Sequence, residues 1–89
     1  MTRIYGRVHI QGSGVPATGQ IIFEPIELMY MDTNRVLYMR TVFTQDLDEG
    51  SFDIDVAPGD YFLRLAGNTR EIRIPFVNQI TLKEILSKT

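Results

Sequence analysis

Cysteine is missing from this 89-residue chain, and histidine occurs once. Without cysteine there is no disulfide framework, no thiolate zinc site and no thiol nucleophile. Small secreted domains commonly depend on such cross-links, so a chain without them suits a cytosolic birthplace or support from neighbouring chains. Long apolar runs are missing too. No stretch approaches the length of a membrane span, and Met1-Thr2-Arg3-Ile4-Tyr5 enters a strand pattern at once, with no apolar signal segment before it. Nor is there a strong charge of one sign. A net charge of −2 gives no electrostatic reason to bind nucleic acid. The expected partners therefore include neither a membrane nor nucleic acid, and nothing implies a cofactor.

What the chain does have is alternation. In Thr44–Leu65, Phe52, Ile54 and Val56 point one way, and Ser51, Asp53 and Asp55 the other. A side-chain period of two is the mark of a half-buried strand. Ala57-Pro58-Gly59-Asp60 interrupts the run, and Pro58-Gly59 suits the centre of a type II turn. Alternation then resumes with Tyr61, Leu63 and Leu65 inward. We expect a β-hairpin with one wet face, in which Asp55 pairs across the strands with Arg64.

The rest of the chain reads in the same way. In residues 3–10, Ile4, Gly6, Val8 and Ile10 share the core face, and Gly6 there implies a bulge or a close approach by another segment. Residues 20–24 form a short strand with Ile21 and Phe23 inward, ended by Pro25. Residues 26–34 follow neither period. They fit an ordered loop, an edge strand, or half a hairpin with Asp32-Thr33-Asn34 at its tip. Residues 35–44 read as one long strand, apolar on both faces, and so covered on both sides or covered by a partner. Ile72, Ile74 and Phe76 are expected inward, with Pro75 marking a strand end. Thr81 and Glu84 have the spacing of a capping box, which would start a helical turn holding Leu82, Ile85 and Leu86; a last strand over 79–83 competes with it. The sum is an all-β fold: a single antiparallel sandwich over residues 1–89 of about seven short strands, either whole or cut from a longer chain.

Gly6-Arg7-Val8, Gly14–Phe23, Asp48–Ile54 and Pro58-Gly59-Asp60-Tyr61 follow the order G-x-V, G-x-P-x-x-G-x-x-x-F, D-x-G-x-F-x-I, P-G-x-Y. This pattern resembles the carboxypeptidase-regulatory-like, or transthyretin-like, β-sandwich repeat over residues 4–65. The resemblance implies a fold more than a function, since these motifs are turn chemistry. The overall layout is also similar to small domains of bacteriophage tail and other virion proteins, which implies a structural role in a particle and a place in the virion.

No catalytic constellation is apparent. His9 falls on the polar face beside Tyr5 and Arg7, and the spacing brings neither Ser13 nor Thr44 to it, so it reads as a surface histidine. Some transthyretin-like proteins are hydrolases that use several histidines and a distinctive C-terminal tetrapeptide. This chain has one histidine and ends Leu86-Ser87-Lys88-Thr89, which argues against that activity. The acidic group around Asp46, Asp48, Glu49, Asp53 and Asp55 reads as a turn and a solvated face, with a weak calcium site at Asp46 and Asp48 as the alternative. The expected function is a non-catalytic assembly module that binds itself or a neighbouring structural protein through Met29, Tyr30, Met31, Leu37, Met39, Ile85 and Leu86. A glycan-binding or adhesion module, with a line of exposed aromatics, is the second reading, and a hydrolase centred on His9 the third.

Overall fold

A computed structural model describes residues 1–9, 15–27, 29–31 and 33–88, apart from the side chains of residues 29–31 and 38. The strands are β1 (Thr2–Arg7), β2 (Gln20–Pro25), β3 (Met29–Met31), β4 (Leu37–Met39), β5 (Phe43–Asp46), β6 (Ser51–Val56), β7 (Gly59–Leu65), β8 (Asn68–Ile74) and β9 (Gln79–Thr81), followed by one helix, α1 (Leu82–Ser87). One sheet has the order β6-β1-β9 and the other β5-β2-β7-β8, while among the described residues β3 and β4 pair only with each other. Pairing is antiparallel except between β1 and β9, which run parallel. The chain is thus an all-β sandwich with a separate two-stranded ribbon.

The alternating residues dictate the core. Ile4 and Phe52 from the first sheet meet Ile21, Phe23, Tyr61, Leu63, Ile72 and Ile74 from the second, and all are buried. The ring of Tyr61 packs edge-on against Phe23 at 6.4 Å and against Phe43 at 6.3 Å, and such contacts add about 0.5–1.5 kcal/mol each beyond burial. The tyrosine hydroxyl donates to the Ala57 carbonyl at 2.7 Å. Gly6 lies where another group comes close, since a Cβ there would touch the Phe52 ring at 3.3 Å.

Both long sides of the sandwich are closed. On one side β5 and β6 belong to different sheets, yet Gln45 of β5 holds the backbone of Asp53 on β6. Its amide nitrogen donates to the Asp53 carbonyl at 2.8 Å and its oxygen accepts from the Asp53 N–H at 2.7 Å. The side-chain amide therefore copies the pair of bonds that a neighbouring strand makes, and it covers part of an edge that would otherwise be open. On the other side α1 buries Leu82 and Ile85 among β1, β8 and β9. Thr81 begins this helix as its N-cap, the first half of the expected capping box: its hydroxyl accepts from the Glu84 N–H at 3.2 Å, and it donates to the Glu84 carboxylate at 3.0 Å.

Several expectations need correction. β6 and β7 do not form a hairpin. The inward faces are as expected, but the chain changes sheet at Ala57-Pro58, so the two strands belong to different sheets. Gly59 opens β7 and takes no part in a tight turn within one sheet. Arg64 therefore bonds Glu24 on β2 at 2.8 Å, and Asp55 lies opposite Arg3. The true hairpin joins β7 to β8 through Ala66-Gly67, with φ of 50° and 78°, as a type I′ turn requires. The stretch 35–44 breaks into β4 and β5, so it is not one central strand; of the readings for 26–34, the hairpin arm is the one found, as β3 against β4. Phe76 is not inward. The chain turns at 75–77, with the Val77 N–H donating to the Pro75 carbonyl at 3.0 Å, and Phe76 is left 93% exposed.

Candidate functional site

The register puts the ribbon and the 75–77 turn at the same end of the sandwich. β2 runs toward that end, with Pro25 opposite Tyr61, and hands the chain to β3. β8 reaches the same end, with Ile74 opposite Gly59. Thr2 ties the turn to β1: its fully buried hydroxyl lies 3.0 Å from the Pro75 carbonyl and 2.9 Å from that of Val77, and its proton is shared between them. Ile26, Glu27 and Phe76 line one hollow of about 400 Å³ at the base of the ribbon, together with Arg40.

Exposed apolar side chains gather here. Leu37 and Met39 stand on one face of β4, 57% and 71% exposed. Val36 and Val42 flank that strand, and Met1, Phe76 and Val77 lie at the ribbon's base, all of them exposed. Among the described residues, Val15 is the one large exposed apolar side chain at the other end. Single exposed apolar residues are ordinary, whereas a contiguous group marks an interaction surface. The ribbon also makes the molecule long, with extents of 52 × 23 × 20 Å. Its radius of gyration is 14.1 Å, against roughly 12 Å for a compact domain of this length.

The residues expected at the interface divide. Leu37 and Met39 belong to this end. The side chains of Met29, Tyr30 and Met31 lie outside the described residues, though their backbone forms β3. Ile85 is 1% exposed, a core residue whose helical face points inward and leaves nothing for a partner. Leu86 is half-buried and lines a groove at the opposite end. Phe76 and Val42 were missed: the alternation put Phe76 inside, and nothing before Val42 signals that its strand breaks.

The chemical candidates are dispersed. His9 is exposed and bridges to Pro16 through the backbone, with Tyr5 and Arg7 near it along one groove. Thr44 stands on β5 opposite Ile22, and Ser13 lies outside the described residues. Asp46 accepts from the Gln20 amide at 3.0 Å, and Asp48 exchanges backbone bonds of 2.9 Å with Ser51 across the turn at Glu49-Gly50. Among the described residues no three metal-binding side chains come together. The Asp53 carboxylate is held below the usual range, first by the hydrogen bond from Arg3 at 2.6–2.8 Å. Asp60 is lowered in the same way by Arg73. Burial pushes the Tyr61 phenol up, against a smaller opposite pull from Arg40. Each shift has a structural partner or burial behind it. Tyr5 is half-buried beneath the Arg3 guanidinium, 4.7 Å from its ring centre, so Phe76 is the one strongly exposed aromatic among the described residues.

No described helix is long and apolar enough to cross a membrane. No protein-family model matches this chain, and the comparison with curated proteins gives no significant match.

Proposed function

We propose that this chain is a non-catalytic assembly module that associates with a second copy or a neighbouring structural protein through its ribbon end. The observation that carries this reading is the gathering of Leu37, Met39, Phe76 and their neighbours at one end, exposed beside a ribbon that pairs with no other described strand. Burying about 25 cal/mol per Å² of apolar surface is the driving force available to such an end. The similarity in layout to small phage tail and other virion domains supports a place in a virion, as a tail or head-decoration component. The carboxypeptidase-regulatory-like resemblance supports the same reading at the level of fold, which many functions share.

Because the chain has no cysteine, Met39→Cys supplies a single thiol for an environment-sensitive dye. Its emission should move to the blue as protein concentration rises and the ribbon leaves water. Emission that stays fixed from micromolar to millimolar protein would refute burial of the ribbon.

A further inference from the structure

We infer that two copies of this chain pair through the open edge of β8, antiparallel, about a two-fold axis at Ile72. This contact uses a different surface from the ribbon end and does not rest on the reading above. Four strands end the two sheets. β5 and β6 close on each other through Gln45, and β9 has three residues and runs straight into α1. β8 has seven, Asn68–Ile74. The two-residue turn before it is closed by a hydrogen-bonded pair, Leu65 and Asn68. Bonded pairs alternate from there, so Asn68, Arg70, Ile72 and Ile74 turn their backbone groups to β7, and Thr69, Glu71 and Arg73 turn theirs outward. Those three residues are exposed. α1 fills the gap between the sheets on this side, but the bond it accepts from β8 comes from a side chain, that of Arg70 to the Leu86 carbonyl at 3.4 Å. Among the described residues no turn, loop or helix backbone group bonds Thr69, Glu71 or Arg73. Such a row of open N–H and C=O groups is a template for another strand.

Charge selects a second copy as the strand that is added, and it fixes the register. Glu71 and Arg73 stand two apart on the outer face. Pairing about Ile72 sets Glu71 of each copy opposite Arg73 of the other, as bonded pairs that exchange N–H and C=O, with Ile72 against its own copy between them. Pairing about Glu71 would set that carboxylate against itself. Pairing about Arg70 or Arg73 would do the same to a guanidinium, and like charges directly opposite are destabilising. Pro75 has no N–H to give, so registers that slide further toward it lose bonds. The neighbouring charges agree. Asp60 already holds Arg73 at 2.8 Å, whereas among the described residues Glu71 forms no ion pair in its own chain. Arg40 and Glu27, one of each sign, line the hollow beside Glu71. On the inner side Arg70 and Lys88 are exposed cations that oppose the approach, but at physiological ionic strength salt screens such charges beyond about 8 Å. The contact is isologous, so it closes at two copies and joins two four-stranded sheets into one.

The test reads backbone amides of the full chain. Hydrogen exchange at Glu71 and Arg73 should slow several-fold from micromolar to millimolar protein, while exchange at Ile72, whose N–H is already bonded to β7, should change little. Glu71→Arg and Arg73→Glu each set like charges across the axis, and circular dichroism confirms that each variant is folded. Each alone should lose the slowing at positions 71 and 73. A one-to-one mixture should regain it, because every pair across the axis is then again of opposite sign. Wild-type exchange at 71 and 73 that does not depend on concentration overturns the edge contact, whatever the total mass does, and leaves the ribbon reading to its own measurement. If both variants slow as much as the wild type, or the mixture fails to slow, a second copy in this register is not what β8 binds.

Discussion

Two glycines with the same backbone allow the packing at the groove end to be tested. Gly50 and Gly67 each occupy the second central position of a two-residue turn, with φ of 81° and 78°. Alanine at either place meets the same backbone penalty, roughly 1–2 kcal/mol for an L-residue in the left-handed region. Their surroundings differ. Among the described residues, chain neighbours aside, no atom lies within 4 Å of a Cβ built on Gly67, whereas a Cβ on Gly50 would collide with the carbonyl oxygen of Val8. That carbonyl accepts from the Ala17 N–H at 2.9 Å, and the Gly50 carbonyl accepts from the Val8 N–H at 2.7 Å. Relieving the collision disturbs both bonds, each contributing about 1 kcal/mol net. Gly67→Ala should therefore cost about 1–2 kcal/mol and Gly50→Ala about 3–4 kcal/mol. Total stability for a domain of this size is about 4–13 kcal/mol, so the second variant loses a large part of it. At roughly 4–8 °C per kcal/mol, the difference of about 2 kcal/mol should separate the two midpoints by about 8–16 °C in thermal melting followed by circular dichroism. Midpoints within about 2 °C of each other would refute the claim that the Glu49-Gly50 turn is clamped against Val8, since at that slope they imply nearly equal costs.

Other outcomes follow from the same contacts. Gln45→Ala removes both bonds to Asp53 and should destabilise by about 1–2 kcal/mol; hydrogen exchange at the Asp53 amide should quicken more than at buried Leu63, and equal change at both would contradict a local role. The Arg3–Asp53 and Arg73–Asp60 pairs lower both carboxylates. Their stabilisation is present above the ordinary aspartate value of about 3.9 and is lost as pH falls through the lower folded values. With side chains about half exposed or more, the effect is modest. Arg3→Met should flatten the acid limb of stability against pH, and an unchanged limb would count against it. Tyr61 is raised, so its contribution is intact below about pH 10 and declines as pH climbs toward the folded value. Tyr61→Phe should cost about 1 kcal/mol at neutral pH through the lost bond to Ala57 and should blunt the alkaline decline; the same alkaline slope in both proteins would rule Tyr61 out as its source.

Local pattern in the sequence reveals which face of a strand is buried, and it does so well for Phe52 and Val56, for Tyr61 and Leu63, and for Ile72 and Ile74. The Thr81 N-cap is equally local and equally legible. Pairing partners are another matter. Pro58-Gly59 suits a tight turn and a corner between sheets alike, so alternation on either side of it does not say whether two strands lie side by side or in different sheets. The break at 40–42 has no glycine or proline to mark it, and the apolar run through 35–44 conceals it. Phe76 continues a period-two pattern that ends physically at Pro75. The groove is least legible of all, because Val8, Leu65 and Leu86 are far apart in the chain and meet only once both sheets and the helix are in place.

The central claim is that this chain acts by association through its apolar end. The most direct measurement is the molar mass of the unmodified chain by light scattering over a concentration series from micromolar to millimolar. The account predicts a mass that climbs above 10.2 kDa with concentration and falls back when Leu37 and Met39 are made acidic. A mass that stays at the monomer value across the whole series would contradict it.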